Sequence, residues 1–149
     1  LSLAYWKLGD IDTAIEMLWE LHRKQRTARI YGTLGYLLIE KGNLDEAFKY
    51  NLEAVKYDDE DPVILDNLAQ TYYMMGKLKE AKKYFEKAES LKDDQVSTLY
   101  YLGCIYEQEG NLQAAKEKLE KALKCNTNPL STVSNEAIQQ KLEEVNRAL

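Results

Sequence analysis

Apolar residues return every three or four positions through most of this chain, and each run ends in a glycine or a short polar stretch. That period belongs to helices that bury one face. Ile11, Ala14, Ile15, Leu18 and Leu21 share a face and predict a helix over 11–24. The same reading gives helix pairs at 28–41 and 44–57, at 62–75 and 78–91, and at 96–109 and 112–125. Leu1, Ala4, Tyr5 and Leu8 keep helical spacing ahead of these, with Trp6 on another side, so residues 1–8 read as the last half of an earlier helix. A final helix is predicted from about Thr132 to Ala148. Its stripe is Ile138, Leu142, Val145 and Leu149, and Gln139, Glu143, Glu144 and Arg147 lie opposite.

Between the members of each pair stands a glycine followed by a start signal. Gly42-Asn43-Leu44-Asp45-Glu46-Ala47 recurs as Gly76-Lys77-Leu78-Lys79-Glu80-Ala81 and as Gly110-Asn111-Leu112-Gln113-Ala114-Ala115. Gly9-Asp10-Ile11-Asp12-Thr13-Ala14 is a fourth copy. Glycine ends a helix in the left-handed conformation at little steric cost. Asn43, Asn111 and Asp10 then cap the next helix, and Glu46 stands where a capping box reaches back. Lys77 is a poor cap. Asp58-Asp59-Glu60-Asp61-Pro62 lacks the spacing and terminal Glu of a calcium loop and reads as a cap, with Pro62 at the first helical position.

Gly42, Gly76 and Gly110 are 34 residues apart, and Gly9 precedes Gly42 by 33. A fixed period of this size marks a stacked array of repeats. Leu65, Leu68-Ala69 and Tyr72 before Gly76 match Leu99, Leu102-Gly103 and Tyr106 before Gly110, and Tyr31, Leu34-Gly35 and Leu38 before Gly42. After the hinge, Ala81-Phe85-Ala88 matches Ala115-Leu119-Ala122 and Ala14-Leu18-Leu21. Over about residues 1–127 this closely resembles the tetratricopeptide repeat pattern. Two departures are Asn51, where Phe or Leu is expected, and the lack of proline at the usual place, although Pro62 and Pro129 follow a few residues later. The resemblance implies an all-α fold: a right-handed superhelical solenoid of antiparallel helix pairs with a C-terminal capping helix. It divides as a truncated repeat at 1–26, repeats at 27–61, 62–95 and 96–129, and a cap at 130–149. Glu136 and Gln140 stand where a fifth repeat would need core residues, which favours a cap. Tyr72 and Tyr106 are expected in the core, each worth about 3–5 kcal/mol on truncation to Ala.

Net charge is −5, which disfavours nucleic acid, a ligand that wants a basic stripe. Cys104, Cys125 and His22 have no metal-ligand spacing, so no metal and no cofactor is expected. The cysteines are expected as buried small apolar residues rather than a disulfide. No stretch is long and apolar enough for membrane insertion by this fragment, and no signal peptide is visible, so a cytoplasmic setting is favoured. Eleven Tyr against two Phe suits half-buried helix faces and binding surfaces. His22, Arg23, Lys24, Arg26 and Arg29 read as cations near a helix C-terminus, against a docking patch for an acidic partner. The lysines of 78–91 and 112–125, interleaved with glutamates, read as a solvated outer face. The open edge at Leu1–Leu8 predicts self-association, and with it a homo-oligomer.

No phosphate loop, Cys/His pair or Ser/His/Asp set is present, and no carboxylate pair lies in an evident pocket, so no catalytic residue and no enzyme activity is expected. The family resemblance implies instead a groove lined by the first helix of each pair. Its residues here would be Arg29, Gly32, Tyr36, Ile39 and Glu40, then Val63, Asp66, Gln70, Tyr73 and Met74, then Ser97, Tyr100, Cys104 and Glu107, with Asn67 and Tyr101 close by. Some family members clamp carboxylate-ending chaperone tails with Lys, Asn and Arg. The matching positions hold Gly32, Tyr36, Asn67, Ser97 and Tyr101, so that clamp is absent. The groove suits an apolar or weakly basic peptide or amphipathic helix of a partner, against the reading that Tyr36, Tyr73 and Tyr100 only pack between repeats. The expected function is a non-catalytic protein–protein interaction scaffold. The alternatives are a regulatory or recruiting domain of a larger enzyme or signalling protein, and a self-assembly unit.

Overall fold

The computed structural model describes residues 10–127 and 133–149. The described residues form eight α-helices: α1 (Ile11–Lys24), α2 (Ala28–Lys41), α3 (Leu44–Tyr57), α4 (Pro62–Met74), α5 (Leu78–Leu91), α6 (Val96–Gln108), α7 (Leu112–Cys125) and α8 (Asn135–Ala148). They fall into two compact units, residues 1–81 and 82–149. The expected helix at 1–8, its apolar edge, the hinge at Gly9 and Pro129 lie outside the described residues.

Caps set most helix starts. Asp10, Asn43 and Asn111 accept from the backbone N–H three residues on, at 3.1, 3.2 and 3.3 Å. Asp61 accepts from Val63 and Ile64 at 2.9 and 3.1 Å, with Pro62 behind it as the first helical residue. Ser134 does the same for α8 through Ala137. It places that start at Asn135 rather than near Thr132. The helix ends need glycine. Gly42, Gly76 and Gly110 have φ of 91°, 79° and 83°, the left-handed region that other residues avoid. At Gly76 and Gly110 the chain closes with paired bonds: Gly76 N–H donates to Tyr73 O and Lys77 N–H to Tyr72 O, and the same pattern joins Gly110 and Asn111 to Glu107 and Tyr106. These are the bonds that satisfy the orphan carbonyls of a helix C-terminus.

In the first unit α1 packs on α2, α2 on α3 and α4, and α3 on α4. Its core holds Ala14, Ile15, Leu18, Tyr31, Leu34, Leu38, Ala47, Tyr50, Ala54 and Ile64. In the second unit α7 packs on α6 and α8, around Leu99, Leu119, Ala122, Val133, Ile138 and Val145. Phe85 of α5 is fully buried there, with its ring 5.5 Å from that of Tyr101 and nearly parallel to it. The alanine five residues after each glycine is wholly buried at Ala47, Ala81 and Ala115.

Three core expectations are corrected. Leu21 is 47% exposed, because His22 takes the inward position in the last turn of α1. Tyr72 and Tyr106 are half-buried, not core. They stand in the last turns of α4 and α6, where the helices are only partly covered. Tyr72 meets Phe48 edge-on at 5.4 Å, and Tyr106 donates to Glu86 at 3.0 Å. Among the lysine-rich residues of α5 and α7, Lys82 bonds Glu109, and Lys118 and Lys121 pair with Glu89 and Asp93, so several of these charges tie helices together rather than only face solvent.

Candidate functional site

In the first unit the first-helix residues come from α2 and α4, which approach closely because Gly32 and Gly35 lack side chains. A Cβ on Gly32 would stand 2.9 Å from Val63 Cγ1, and Asn67 Nδ2 donates to Gly32 O at 2.7 Å. Val63 and Met74 bracket α4, each 45% exposed, with Tyr73 half-buried beside Met74. Eleven residues of helix set these two anchors about 16 Å apart. Between them Asp66 and Gln70 are recessed, and Gln70 Nε2 donates to Asp66 Oδ2 at 2.7 Å. Arg29 and Glu40 are exposed at the two ends of α2.

The other residues expected in the groove are buried or half-buried. Tyr36 and Ile39 are 8% and 6% exposed and belong to the core. Asn67 is 2% exposed, and its amide is spent on Gly32. In the second unit Tyr100 and Tyr101 are half-buried and meet edge-on at 5.2 Å. Cys104 is buried and Cys125 half-buried, and no disulfide joins them. Glu107 accepts from Lys141 of α8 at 2.9 Å. Burial pulls the Lys141 ammonium down, but Glu144 and Glu107, with Cys104 nearby, outweigh it and hold its pKa above the usual lysine range. The cap helix thus neutralises Glu107.

Two features escaped the sequence pattern. The first is a buried polar ladder. Asn51 is fully buried and donates to Thr71 Oγ1 at 3.1 Å, while Thr71 donates to Asn67 O at 2.8 Å. The second is an aromatic cluster around His22. Its ring lies 4.9 Å from Tyr31 and 5.6 Å from Tyr50, and Trp19 meets it edge-on at 5.7 Å. His22 Nδ1 is 3.4 Å from the Tyr50 hydroxyl, and its Nε2 is 3.9 Å from Glu53. Tyr31 donates to the same Glu53 carboxylate at 2.7 Å. Burial, then that bond, pushes the Tyr31 hydroxyl up to about 12. His22 is therefore not one of the surface cations that its sequence neighbours suggested.

Burial, then the charge of Arg26, pushes the His22 pKa below 6.5, with Glu53 opposing. The folded chain prefers the neutral ring, so between that lowered value and 6.5 the unfolded chain binds more protons. Stability from this group is complete above pH 6.5 and is lost as pH falls below it. The urea midpoint of the wild type should drop between pH 7.5 and 5.5, and His22→Asn should remove most of that drop. An equal drop in both proteins would contradict the assignment.

Among the described residues no helix is long and apolar enough to cross a membrane, and no group of three or more His, Cys, Asp or Glu is placed to hold a metal ion. Two models of the tetratricopeptide repeat family match residues 26–94 and 96–129. No curated protein matches the chain. Among solved structures it is similar to the first such domain of Spaghetti (RPAP3) bound to the HSP90 peptide SRMEEVD, at 20% identity and a TM-score of 0.66, covering 81% of this chain and 91% of that one. It is similar to the Yersinia enterocolitica type III secretion chaperone SycD in complex with a peptide of the translocator YopD, at 17% identity and a TM-score of 0.68, covering 83% of this chain and 95% of that one. It is also similar to the APC/C hetero-tetramer Cut9–Hcn1, at 21% identity and a TM-score of 0.85, covering 99% of this chain but 29% of that one. At these identities the likeness shows the fold alone.

Proposed function

Because the chain belongs to the tetratricopeptide repeat family, we propose that it is a non-catalytic interaction scaffold that holds a segment of a protein partner on the first helices of its first unit, α2 and α4, with the exposed face of α4 as the principal contact. The observation that carries this reading is the pair Val63 and Met74. Two large apolar side chains stay open on a helix whose other apolar residues are mostly buried, and half-buried Tyr73 adjoins Met74. Such anchors supply most of the energy of a peptide interface. Similar folds that hold peptides, RPAP3 with its HSP90 peptide and SycD with its YopD peptide, support a peptide ligand here.

The partner differs in charge from the acidic HSP90 peptide SRMEEVD. The positions that would grip such a tail carry no Lys or Arg, and Asn67 is committed to Gly32. Selection from a random peptide library on the immobilised chain tests the proposal. Enriched peptides should carry two apolar residues, and their affinity should fall at least about tenfold in Val63→Asp/Met74→Glu, a loss of about 1.4 kcal/mol. Helicity should be retained, since exposed substitutions of this kind cost about 0.5 kcal/mol or less. Peptides that bind the variant unchanged would remove the α4 face from consideration.

A further inference from the structure

A separate recess opens between α1 and α3, with no residue of α4 in its lining. It has a volume of about 440 Å³ and is lined by Trp19 and Tyr50 with Asn43, Asp45, Glu46, Lys49 and Glu53. Its aromatic wall is held in place from behind. The Trp19 ring meets Tyr50 edge-on at 5.2 Å and 76°, and His22 at 5.7 Å and 88°. Trp19 nonetheless remains half-buried, so part of the ring is open. A second recess beyond the same Trp19 carries Glu16 and Glu20 with Arg23.

We propose that the recess between α1 and α3 receives an arginine side chain from a basic segment of a protein partner. An open indole beside carboxylates is a receptor for a flat organic cation. The ring attracts the cation through its quadrupole, and the carboxylates accept its N–H groups. The charges agree. Asp45, Glu46 and Glu53 line the recess against Lys49 alone. One Glu53 oxygen accepts from Tyr31, and the 51% exposure of its side chain leaves the carboxylate accessible. The spacing argues against a metal ion, because no three of these groups converge among the described residues. A delocalised cation about 5 Å wide tolerates that spread where a metal does not.

The experiment follows the amide and indole N–H resonances of the whole ¹⁵N-labelled chain. The probe is the acetylated, amidated peptide Arg-Gly-Arg-Gly-Arg, and the control is the same peptide with citrulline, an uncharged isostere, at each arginine. The arginine peptide should move the Trp19 indole resonance saturably, and the citrulline peptide should not. Affinity should fall at least about fivefold in Trp19→Leu, the loss of one cation–π contact of about 1 kcal/mol. Asp45→Asn/Glu46→Gln changes exposed residues only and should show a loss of similar size with helicity intact, so the result stands even where Trp19→Leu unfolds. Equal binding of the citrulline peptide, undiminished binding by the Asp45→Asn/Glu46→Gln chain, shifts confined to the α4 face, or no saturable shift would each overturn the proposal. The peptide-library result with Val63→Asp/Met74→Glu is independent of this outcome.

Discussion

Tyr31→Ala is expected to destabilise the first unit by about 3–5 kcal/mol, the range for removing a large aromatic side chain from a packed interior. Tyr31 is 1% exposed and is among the largest fully buried side chains. Its ring centre is 4.9 Å from His22, 5.3 Å from Tyr50 and 4.8 Å from Tyr57. Truncation would leave a cavity that three rings on two other helices cannot close without losing contacts of their own. Its hydroxyl is the donor to Glu53. Tyr31→Phe separates the two effects, because it keeps the ring and deletes only that bond. Glu53 is half open to solvent, so the hydroxyl should account for about 1 kcal/mol of the total. Urea unfolding followed by circular dichroism measures both. A Tyr31→Ala midpoint within error of the wild type would show that this ring is not a centre of the core.

Helix boundaries were the most legible feature of the sequence, for a local reason. Six of the eight described helices begin with a side chain accepting from a backbone N–H two or three residues on, at Asp10, Thr27, Asn43, Asp61, Asn111 and Ser134, of which Asp10, Asn43, Asp61 and Asn111 could be read as caps in the sequence, and three turns hold a glycine at positive φ. Such signals lie within a few residues of the feature that they specify. What the repeat pattern hid was long-range. It places an apolar residue at position 51, but Asn51 is tied to Thr71 of α4, twenty residues away. It marks Leu21 as inward, but the aromatic ring of His22 fills the space against Tyr31 and Tyr50. Groove residues were legible only as helix positions. Whether Tyr36 or Asp66 is open depends on how closely α2 and α4 approach, and two glycines and two amides of those helices and α3 set that distance. The recess at Trp19 was not legible at all, since its walls come from helices whose separation no local signal encodes.

Gly35→Ala should cost about 2–3 kcal/mol, although it adds a single methyl group. The added Cβ would stand 2.1 Å from Asn51 Oδ1 and 3.1 Å from Asn67 Nδ2. Neither amide is free to swing aside. Asn51 Nδ2 donates to Thr71 Oγ1 and, at 3.4 Å, to Gly35 O, while Asn67 Nδ2 donates to Gly32 O. Displacing Asn51 therefore breaks buried hydrogen bonds, or else the helices must part. Asn51→Ala should be milder. Thr71 would still donate to Asn67 O, and the substitution also removes an Oδ1 that is buried with no hydrogen-bond partner. In the Asn51→Ala background the methyl of Gly35→Ala has room, so the two substitutions should couple favourably by about 1–3 kcal/mol. Thermal unfolding of the four proteins of this cycle measures the coupling. If the methyl at position 35 costs the same with and without the Asn51 side chain, the contact between α2 and α3 is not made through this pair. The missing Phe or Leu at position 51 would then have some reason other than the close packing of a bare glycine against a buried amide.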